Sequence, residues 1–134
     1  MKRFLLFLLI LFLVIEISGC TLSETCVLYN NTGQNLKVIQ QKIEGTKSER
    51  KLKAHSTIRL GGWVWHTYQV VTKDTIWNYN PIRPDYDFFA YGGFDQIFKA
   101  QLEKDGRIYI LRPDQSFPAS EFPKQPEGFP LLPK

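Results

Sequence analysis

The chain has 134 residues and a formal net charge of +4, with 22% charged and 14% aromatic residues. This length allows one domain, and the composition excludes a disordered chain, a coiled coil and a collagen-like fibre for the body of the protein. The positive charge is too small to identify an anionic partner, and because no nucleic-acid-binding motif is present we expect no nucleic-acid partner.

The first 19 residues have the pattern of an export signal. Met1-Lys2-Arg3 is a short positive segment, and Phe4 to Ile15 is an unbroken apolar stretch of 12 residues. A membrane-spanning helix needs about 20 apolar residues, so this stretch is short for a permanent anchor and has the length of a signal core. We therefore expect residues 1–19 to be a removable signal peptide that leaves Cys20 as the first residue, the alternative being an uncleaved signal anchor.

The residues Ile17-Ser18-Gly19-Cys20 follow the apolar stretch. An aliphatic residue, two small residues and a cysteine resemble the lipobox of bacterial lipoproteins. The resemblance implies cleavage between Gly19 and Cys20, a diacylglyceryl group on the Cys20 thiol, and acylation of the new amine, palmitate being the kind of chain attached. Each buried CH₂ contributes about 0.8 kcal/mol, so two or three such chains hold a protein stably on a membrane.

The residue after the lipobox cysteine bears on location. The family commonly places Asp there as an inner-membrane retention signal, so Thr21 implies the outer membrane, facing the periplasm, in a diderm host. In a monoderm host the same signal implies the outer face of the plasma membrane. Residues 20–25 then form a lipidated tether. Because lipid occupies Cys20, the free thiol belongs to Cys26, which we expect to be a buried strand residue. A reactive thiol or an intermolecular disulfide is the alternative.

From residue 26 to residue 113 the chain consists of short β-rich stretches separated by turn residues. This pattern predicts an all-β fold, a small antiparallel β-sandwich after the signal helix. The turn cluster at 30–34 predicts a hairpin over 26–41. Further strands are predicted at 57–60, 63–73 and 75–79. No stretch shows the sustained apolar spacing of a helix.

Asp105-Gly106 is the clearest local turn signal, because both residues tolerate the positive φ of a two-residue hairpin turn. Such a turn pairs Leu102 with Tyr109 on one face of the hairpin and Gln101 with Ile110 on the other. The second face mixes polar and apolar residues. We therefore expect another apolar segment to cover it in part.

Residues 114–134 follow the predicted sandwich. Six prolines from Pro113 onward predict an extended segment, because proline fixes φ and lacks a backbone donor. The large apolar residues between them are Phe117, Phe122, Phe129, Leu131 and Leu132. A solvated linker would not normally carry so many, so we predict a Pro/Phe-rich strap packed over the domain, the alternative being a free recruiting arm.

Residues suited to catalysis or metal binding are few. The chain has two histidines, His55 and His66, and neither has a cysteine or acidic residue at metal-ligand spacing. Asp85 and Asp87 share a face of an extended chain but lack the ligand order of a calcium loop. No nucleophile elbow or phosphate-binding glycine motif is present. We therefore expect no enzyme activity, no metal and no cofactor.

Aromatic residues are the candidate binding residues. The segment 81–95 combines five aromatic residues with two prolines and two glycines, which is typical of a functional loop. Aromatic rings suit stacking on sugars or packing against a protein. The candidates are Trp63, Trp65, Trp77, Tyr86, Phe88, Phe89 and Tyr91. The alternative for Phe88, Phe89 and Phe94 is that they close the end of the sandwich, since a small domain needs its apolar residues.

A basic cluster lies between Lys47 and Arg59, with Glu49 as the one acidic residue. Its members are Lys47, Arg50, Lys51, Lys53 and Arg59. They could contact anionic envelope phosphates or form a solvated strand face. Taken together, the sequence predicts a non-enzymatic envelope lipoprotein that binds an envelope protein or peptidoglycan. Two alternatives stay open: an inhibitor or immunity protein against a periplasmic toxin or hydrolase, and a carbohydrate-binding module.

Overall fold

The computed structural model describes residues 24–92 and 95–134, in which the chain forms an all-β sandwich as predicted. The strands are β1 (Glu24–Asn30), β2 (Leu36–Lys42), β3 (Lys47–Leu52), β4 (Thr57–Gly61), β5 (His66–Val71), β6 (Ile76–Tyr79), β7 (Phe89–Gly92), β8 (Asp95–Leu102) and β9 (Ile108–Leu111). Short 3₁₀ segments cover Trp63–Trp65 and Tyr86–Phe88. Among these described residues no helix is long and apolar enough to cross a membrane.

The strands form two sheets. In the five-stranded sheet the order is β4-β1-β8, and the far side of β8 is shared by β7 along its first half and β9 along its second half. The four-stranded sheet has the order β3-β2-β5-β6. All pairs are antiparallel except β1 and β8, which run parallel. The strands β4 and β9 therefore lie at opposite edges of the same sheet.

Alternate residues of the strands point into the space between the sheets and form one core. Phe98 comes from the five-stranded sheet and Tyr68 from the four-stranded sheet, and both are almost fully buried. Trp63 joins them, because its ring stacks on Tyr68 at 4.9 Å and meets Phe98 edge-on at 5.5 Å. Every member of this core lies between Cys26 and Leu131. A chain that begins at Thr21 therefore retains every core residue of the described ranges 24–92 and 95–134.

Cys26 is a core residue. Its side chain is fully buried on β1, opposite Leu60 of β4 and beside Phe98 of β8. Among the described residues it is a free thiol, and burial raises its pKa well above the ordinary value. The prediction of a buried strand residue is confirmed.

The predicted hairpin over 26–41 is wrong, because β1 and β2 belong to different sheets. Asn30 explains the difference. Its fully buried side-chain amide donates hydrogen bonds to the carbonyls of Gln34 (2.8 Å) and Lys53 (3.1 Å), and its oxygen accepts one from the backbone N–H of Thr32 (3.0 Å). These bonds fix a corner that carries the chain from one sheet to the other.

The predicted register of the Asp105-Gly106 hairpin is wrong by one residue. The structure pairs Leu102 with Ile108 and Gln101 with Tyr109. The turn has three residues and ends in Gly106 at φ 84°, a common geometry that adds one residue to the loop. The shift puts the buried pair Leu102 and Ile108 on the inner face and moves Gln101 and Tyr109 to the outer face.

The predicted strand over 63–73 is interrupted, and the predicted loop over 81–95 is partly strand. The chain must cross from β4 to β5, which lie in different sheets, and it does so through Gly62 at φ 64° and the 3₁₀ segment that follows. The strand itself begins at His66. In the second segment, Phe89–Gly92 forms β7 against the first half of β8.

The C-terminal segment is an extended strap, as predicted. Its first part covers the outer face of the five-stranded sheet, where Phe117 stacks on Tyr29 at 5.1 Å and Phe122 stacks on Tyr109 at 4.1 Å. Beneath it lies Gln101, which is fully buried. The predicted apolar cover over this face is therefore supplied by the strap.

The last part of the strap pairs with the free edge of β9. Leu131 and Ile108 exchange two backbone hydrogen bonds of 2.9 and 3.0 Å. Gln125 extends this pairing through its side chain, which bonds the backbone of Ile110. An unpaired strand edge invites pairing with another chain, and the strap removes that possibility along β9.

Candidate functional site

Three of the seven aromatic candidates lie in the core. Trp63, Phe88 and Phe89 are 1%, 9% and 4% exposed, and the indole N–H of Trp63 donates a 2.8 Å hydrogen bond to the carbonyl of Ile82. Their burial removes them from any surface stacking site. Phe88 and Phe89 instead fill the interior, which is the structural role that the sequence left open for them.

The other candidates are distributed over separate segments. Trp77 is half-buried, whereas Trp65 and Tyr86 are each 63% exposed. The guanidinium of Arg83 lies 4.8 Å from the centre of the Tyr86 ring. Within the described part of the chain no stacked ring pair joins Trp65 to Tyr86, so they do not form one aromatic platform. The side chain of Tyr91, the signal peptide 1–19 and Cys20 lie outside the described residues.

A groove of different chemistry lies along the open side of the sandwich, where the edge strands β3 and β4 approach each other. Its volume is about 450 Å³. We call it the basic groove, and it is lined by Gln40, Lys42, Thr46, Lys47, Ser48, Arg50, Arg59, Gly61 and His66. Four of these residues carry a positive charge and none carries a carboxylate.

Strand pairing explains how Arg50 reaches the groove. On β3, Arg50 lies opposite Val38 of β2, and Val38 points into the core. Directly opposite residues of neighbouring strands share a face, so Arg50 points to the inner side of the sheet. Because β3 is an edge strand, this position lies where the core meets solvent. A charge that points inward from an edge strand also disfavours pairing with another chain.

Gln40 ties the floor of the groove to both sheets. Its side-chain amide donates hydrogen bonds to the carbonyl of Gly61 (3.0 Å) and to the hydroxyl oxygen of Tyr68 (3.5 Å). Burial raises the pKa of Tyr68, and the nearby Arg50 offsets this only in part, so the phenol stays neutral. The groove therefore has a floor that is fixed across the two sheets.

His66 stands at the side of this floor. Its Nδ1 lies 2.6 Å from the carbonyl oxygen of Gly62. The same Nδ1 lies 3.1 Å from Nε2 of Gln40, so it donates to Gly62 when it carries the proton and accepts from Gln40 when it does not. Gly62 is required here, because a Cβ at this position would lie 2.8 Å from the His66 ring and the backbone has φ 64°. The ring is thus held by the backbone of the connection between β4 and β5.

The cations of the groove have no acidic partner in the described part of the chain. Ion pairs within 4 Å join Lys37 to Glu49, Arg83 to Glu24 and Arg107 to Asp105. None of them involves a residue of the basic groove. Unneutralised cations that line one concave surface raise the local positive potential and attract anions. Carboxylate and phosphate groups both suit such a surface, because guanidinium groups bind their oxygens in pairs and ammonium groups add point charges.

The sequence predicted part of this site. The basic cluster at 47–59 supplies Lys47, Arg50 and Arg59, whereas its members Lys51 and Lys53 line a separate depression at the far end of β3. Lys42 and His66 were missed. Both belong to the groove because β2 pairs with β3 and with β5, which places them beside it. These two residues could have been found from the sequence only if the pairing of β2 with β3 and β5 had been predicted.

Carboxylates and histidines do not gather elsewhere in residues 24–92 and 95–134. No group of three or more His, Cys, Asp or Glu residues is placed to hold a metal ion there. Asp85 and Asp87 are exposed. His55 has φ 57°, and its Nδ1 lies 3.5 Å from the hydroxyl of Tyr29.

The chain matches no protein-family model, no curated protein and no solved structure. Its function is therefore argued from its own residues and their arrangement.

Proposed function

We propose that the chain is a membrane-anchored, non-enzymatic envelope lipoprotein that binds a phosphate-bearing envelope component in the basic groove. The observation that carries this proposal is the set of four cations that line the groove without a carboxylate: Lys42, Lys47, Arg50 and Arg59. Like charges repel one another, so such a set opposes folding unless an anion offsets it. The lipobox residues and Thr21 support a place on the outer membrane, facing the periplasm of a diderm host.

The shape of the groove supports a bound molecule rather than a diffuse ion layer. A volume of about 450 Å³ lies within the range of small-molecule sites, which is about 300–1,000 Å³. Ser48 lines the same space and adds a hydroxyl donor, whereas the Thr46 hydroxyl donates to Oε1 of Glu44 at 3.4 Å. The floor at Gln40 is already held by hydrogen bonds, so it does not have to be ordered when a ligand binds.

The alternative as a carbohydrate-binding module has less support. Its exposed aromatic residues are Trp65 and Tyr86, and they belong to different connections between strands. The alternative as an inhibitor or immunity protein has no observation in its favour beyond the sequence. The positive charge of the groove favours binding of a phosphate-bearing envelope component over both alternative functions.

The direct test is binding of inorganic pyrophosphate to a purified chain that begins at Thr21, measured by isothermal titration calorimetry. A triple variant, Lys42→Gln/Lys47→Gln/Arg59→Gln, removes three groove charges. We expect it to weaken binding at least 30-fold, because a hydrogen bond to a charged group is worth about 1.5–3 kcal/mol. The matched control is Lys73→Gln/Lys104→Gln/Lys124→Gln, which removes the same charge from exposed positions away from the groove.

The control variant is expected to bind within about twofold of the original chain, because distant exposed charges are screened by salt. Equal weakening in both triple variants would show that net charge alone attracts the anion, and would reject the groove as the site. Absence of pyrophosphate binding by the original chain at low salt would reject the proposal as well.

A further inference from the structure

The register of the strands shows which segments share an end of the sandwich with the start of β1. Thr25 lies opposite Gly61, the last residue of β4. The chain continues from Gly61 through the 3₁₀ segment to His66, which lies opposite Lys42 at the end of β2. We call this end the anchor-proximal end. The basic groove opens at it, because Lys42, Gly61 and His66 are among its lining residues.

The length of chain before β1 limits how far this end can lie from the membrane. Three residues lie between Cys20 and Glu24, so four residue-to-residue steps join them. An extended chain spans at most about 3.6 Å per step, so the reach is about 14 Å. Each headgroup layer of a bilayer is about 5–8 Å thick. A lipid on Cys20 would therefore hold the anchor-proximal end against the headgroups.

Two large apolar side chains are exposed at this end. Ile43, in the turn between β2 and β3, is 86% exposed, and Trp65 is 63% exposed. Lys42 and Lys47 flank the turn that carries Ile43, and the turn itself contains one exposed carboxylate, that of Glu44. An indole and an aliphatic side chain next to lysines is the composition that favours the membrane interface, where the rings sit at headgroup level and the cations meet lipid phosphates.

We infer that the anchor-proximal end docks on the bilayer, with headgroup phosphates of anionic lipids in the basic groove and with Ile43 and Trp65 in the interfacial layer. The inference rests on the proposed function, since it names the lipid headgroup as the phosphate-bearing ligand. Docking in this way also gives the domain a single orientation on the membrane. The anchor supplies attachment, and the groove and the two apolar side chains fix which surface faces the membrane.

The first experiment separates the docking surface from the lipid anchor. The unlipidated chain that begins at Thr21 is floated with vesicles of phosphatidylcholine alone and with vesicles that contain half phosphatidylglycerol. We expect binding to the anionic vesicles only. Each cation near an anionic surface changes the partition constant about fivefold, so the groove triple variant should bind on the order of 100-fold more weakly. The control variant Lys73→Gln/Lys104→Gln/Lys124→Gln should change binding by less than a factor of five.

The second experiment reports the orientation of the full, lipidated chain in vesicles. Lipids brominated near the headgroup quench an indole that lies in the interfacial layer. We expect quenching of the original chain and none in the Trp65→Phe variant, because Trp63 is buried in the core and Trp77 is half-buried at another site. Thermal unfolding checks that the Trp65→Phe variant is folded, which we expect because Trp65 is exposed.

Membrane docking and phosphate binding in the basic groove are refuted by different outcomes. Binding of pyrophosphate without binding to anionic vesicles would overturn the docking and leave the proposed function standing, with a free phosphate compound as the ligand. An unquenched Trp65 in the lipidated chain would overturn the orientation. Palmitate labelling that persists in a Cys20→Ala variant would overturn the anchor. Vesicle binding that is lost equally in both triple variants would overturn the role of the groove.

Discussion

Replacement of Gln125 by leucine tests how the strap is held on the sandwich. The Gln125 side chain accepts a 2.8 Å hydrogen bond from the backbone N–H of Ile110 and donates a 2.9 Å bond to the carbonyl of the same residue. Ile110 is fully buried on the edge strand β9. A single side-chain amide therefore satisfies both the N–H and the carbonyl of Ile110 at the sheet edge, as the backbone of a neighbouring strand would.

The expected loss follows from these two bonds. Each intramolecular hydrogen bond contributes about 0.5–1.5 kcal/mol net, and a buried polar group left without a partner costs about 1–3 kcal/mol. Some water will reach the backbone of Ile110 once the strap loosens, so we expect the free energy of unfolding to fall by about 2–3 kcal/mol. This is a large part of the 5–15 kcal/mol that is typical of a whole domain.

Urea unfolding of the chain from Thr21 measures this loss as a lower midpoint with an unchanged slope. The control is Gln41→Leu, a glutamine on the outer face of β2 that makes no side-chain hydrogen bond within the described part of the chain. We expect the control to change stability by less than about 0.5 kcal/mol, as is usual at surface positions. A loss below about 0.5 kcal/mol for Gln125→Leu would refute the reasoning and would assign retention of the strap to its stacked phenylalanines.

Two further predictions concern the packing of the strap and the pH dependence of stability. Gly128→Ala should lower the free energy of unfolding by about 1–3 kcal/mol in urea, mainly because the backbone has φ 82° and in smaller part because a Cβ would displace Cδ1 of Ile82. Gly45→Ala has the same backbone strain at φ 96° but meets no atom within 4 Å, so it should lose slightly less, and a larger loss at Gly45 would contradict the packing argument. Burial raises the pKa of the Cys26 thiol, so above about pH 9 the unfolded chain loses this proton first and stability falls by about 1.4 kcal/mol per pH unit. Below that pH the thiol contributes nothing to the pH dependence of stability. Between pH 7 and pH 10, urea unfolding of a Cys26→Ala variant should therefore show a shallower decline of stability than the original chain, and an identical decline in both would contradict this prediction.

The fold class could be predicted because it follows from local pattern, whereas the pairing of strands could not. Asn30 shows the difference. The turn cluster around it correctly marks a reversal, but its buried amide bonds Lys53, a residue more than twenty positions away, and this bond sends the chain to the second sheet. A local reading favours the nearest partner strand, which produced the hairpin over 26–41. Similarly, the choice between a two-residue and a three-residue turn at Gly106 depends on which register buries Leu102 and Ile108 together.

The candidate site was predicted in part for the same reason. Charge density along the chain identified the region of Lys47 and Arg59, and only the pairing of β2 with β3 and β5 adds Lys42 and His66. Which aromatic residues are buried could not be predicted from the sequence. A small domain needs large apolar side chains for its core, and sequence alone does not show that Trp63 is buried whereas Trp65, two residues later, is exposed.

Three glutamines hold the strap, and none was identified from the sequence. Gln101 exchanges hydrogen bonds of 2.8 and 3.0 Å with the backbone of Ala119, Gln115 bonds the backbone of Arg112 and Glu121, and Gln125 bonds Ile110. The physical reason lies in the composition of the strap. Prolines have no backbone N–H, so a proline-rich segment cannot form a regular ladder with a sheet. Side-chain amides, which carry a donor and an acceptor together, take over that pairing.

The positions of the strap and the basic groove follow from one feature of the topology. In the five-stranded sheet, β9 and β4 are opposite edges, and the strap pairs with β9 whereas the groove lies beside β4. The strap can therefore protect the β9 edge and part of the outer face of that sheet without reaching the cations beside β4. Within the described residues β3 has no partner on its outer edge, and it carries the inward charge of Arg50, which disfavours strand pairing and favours an anion. The strap and the proposed ligand site thus lie at opposite edges of the five-stranded sheet, and under the proposed lipid attachment at Cys20 the end of the sandwich at Glu24 faces the membrane.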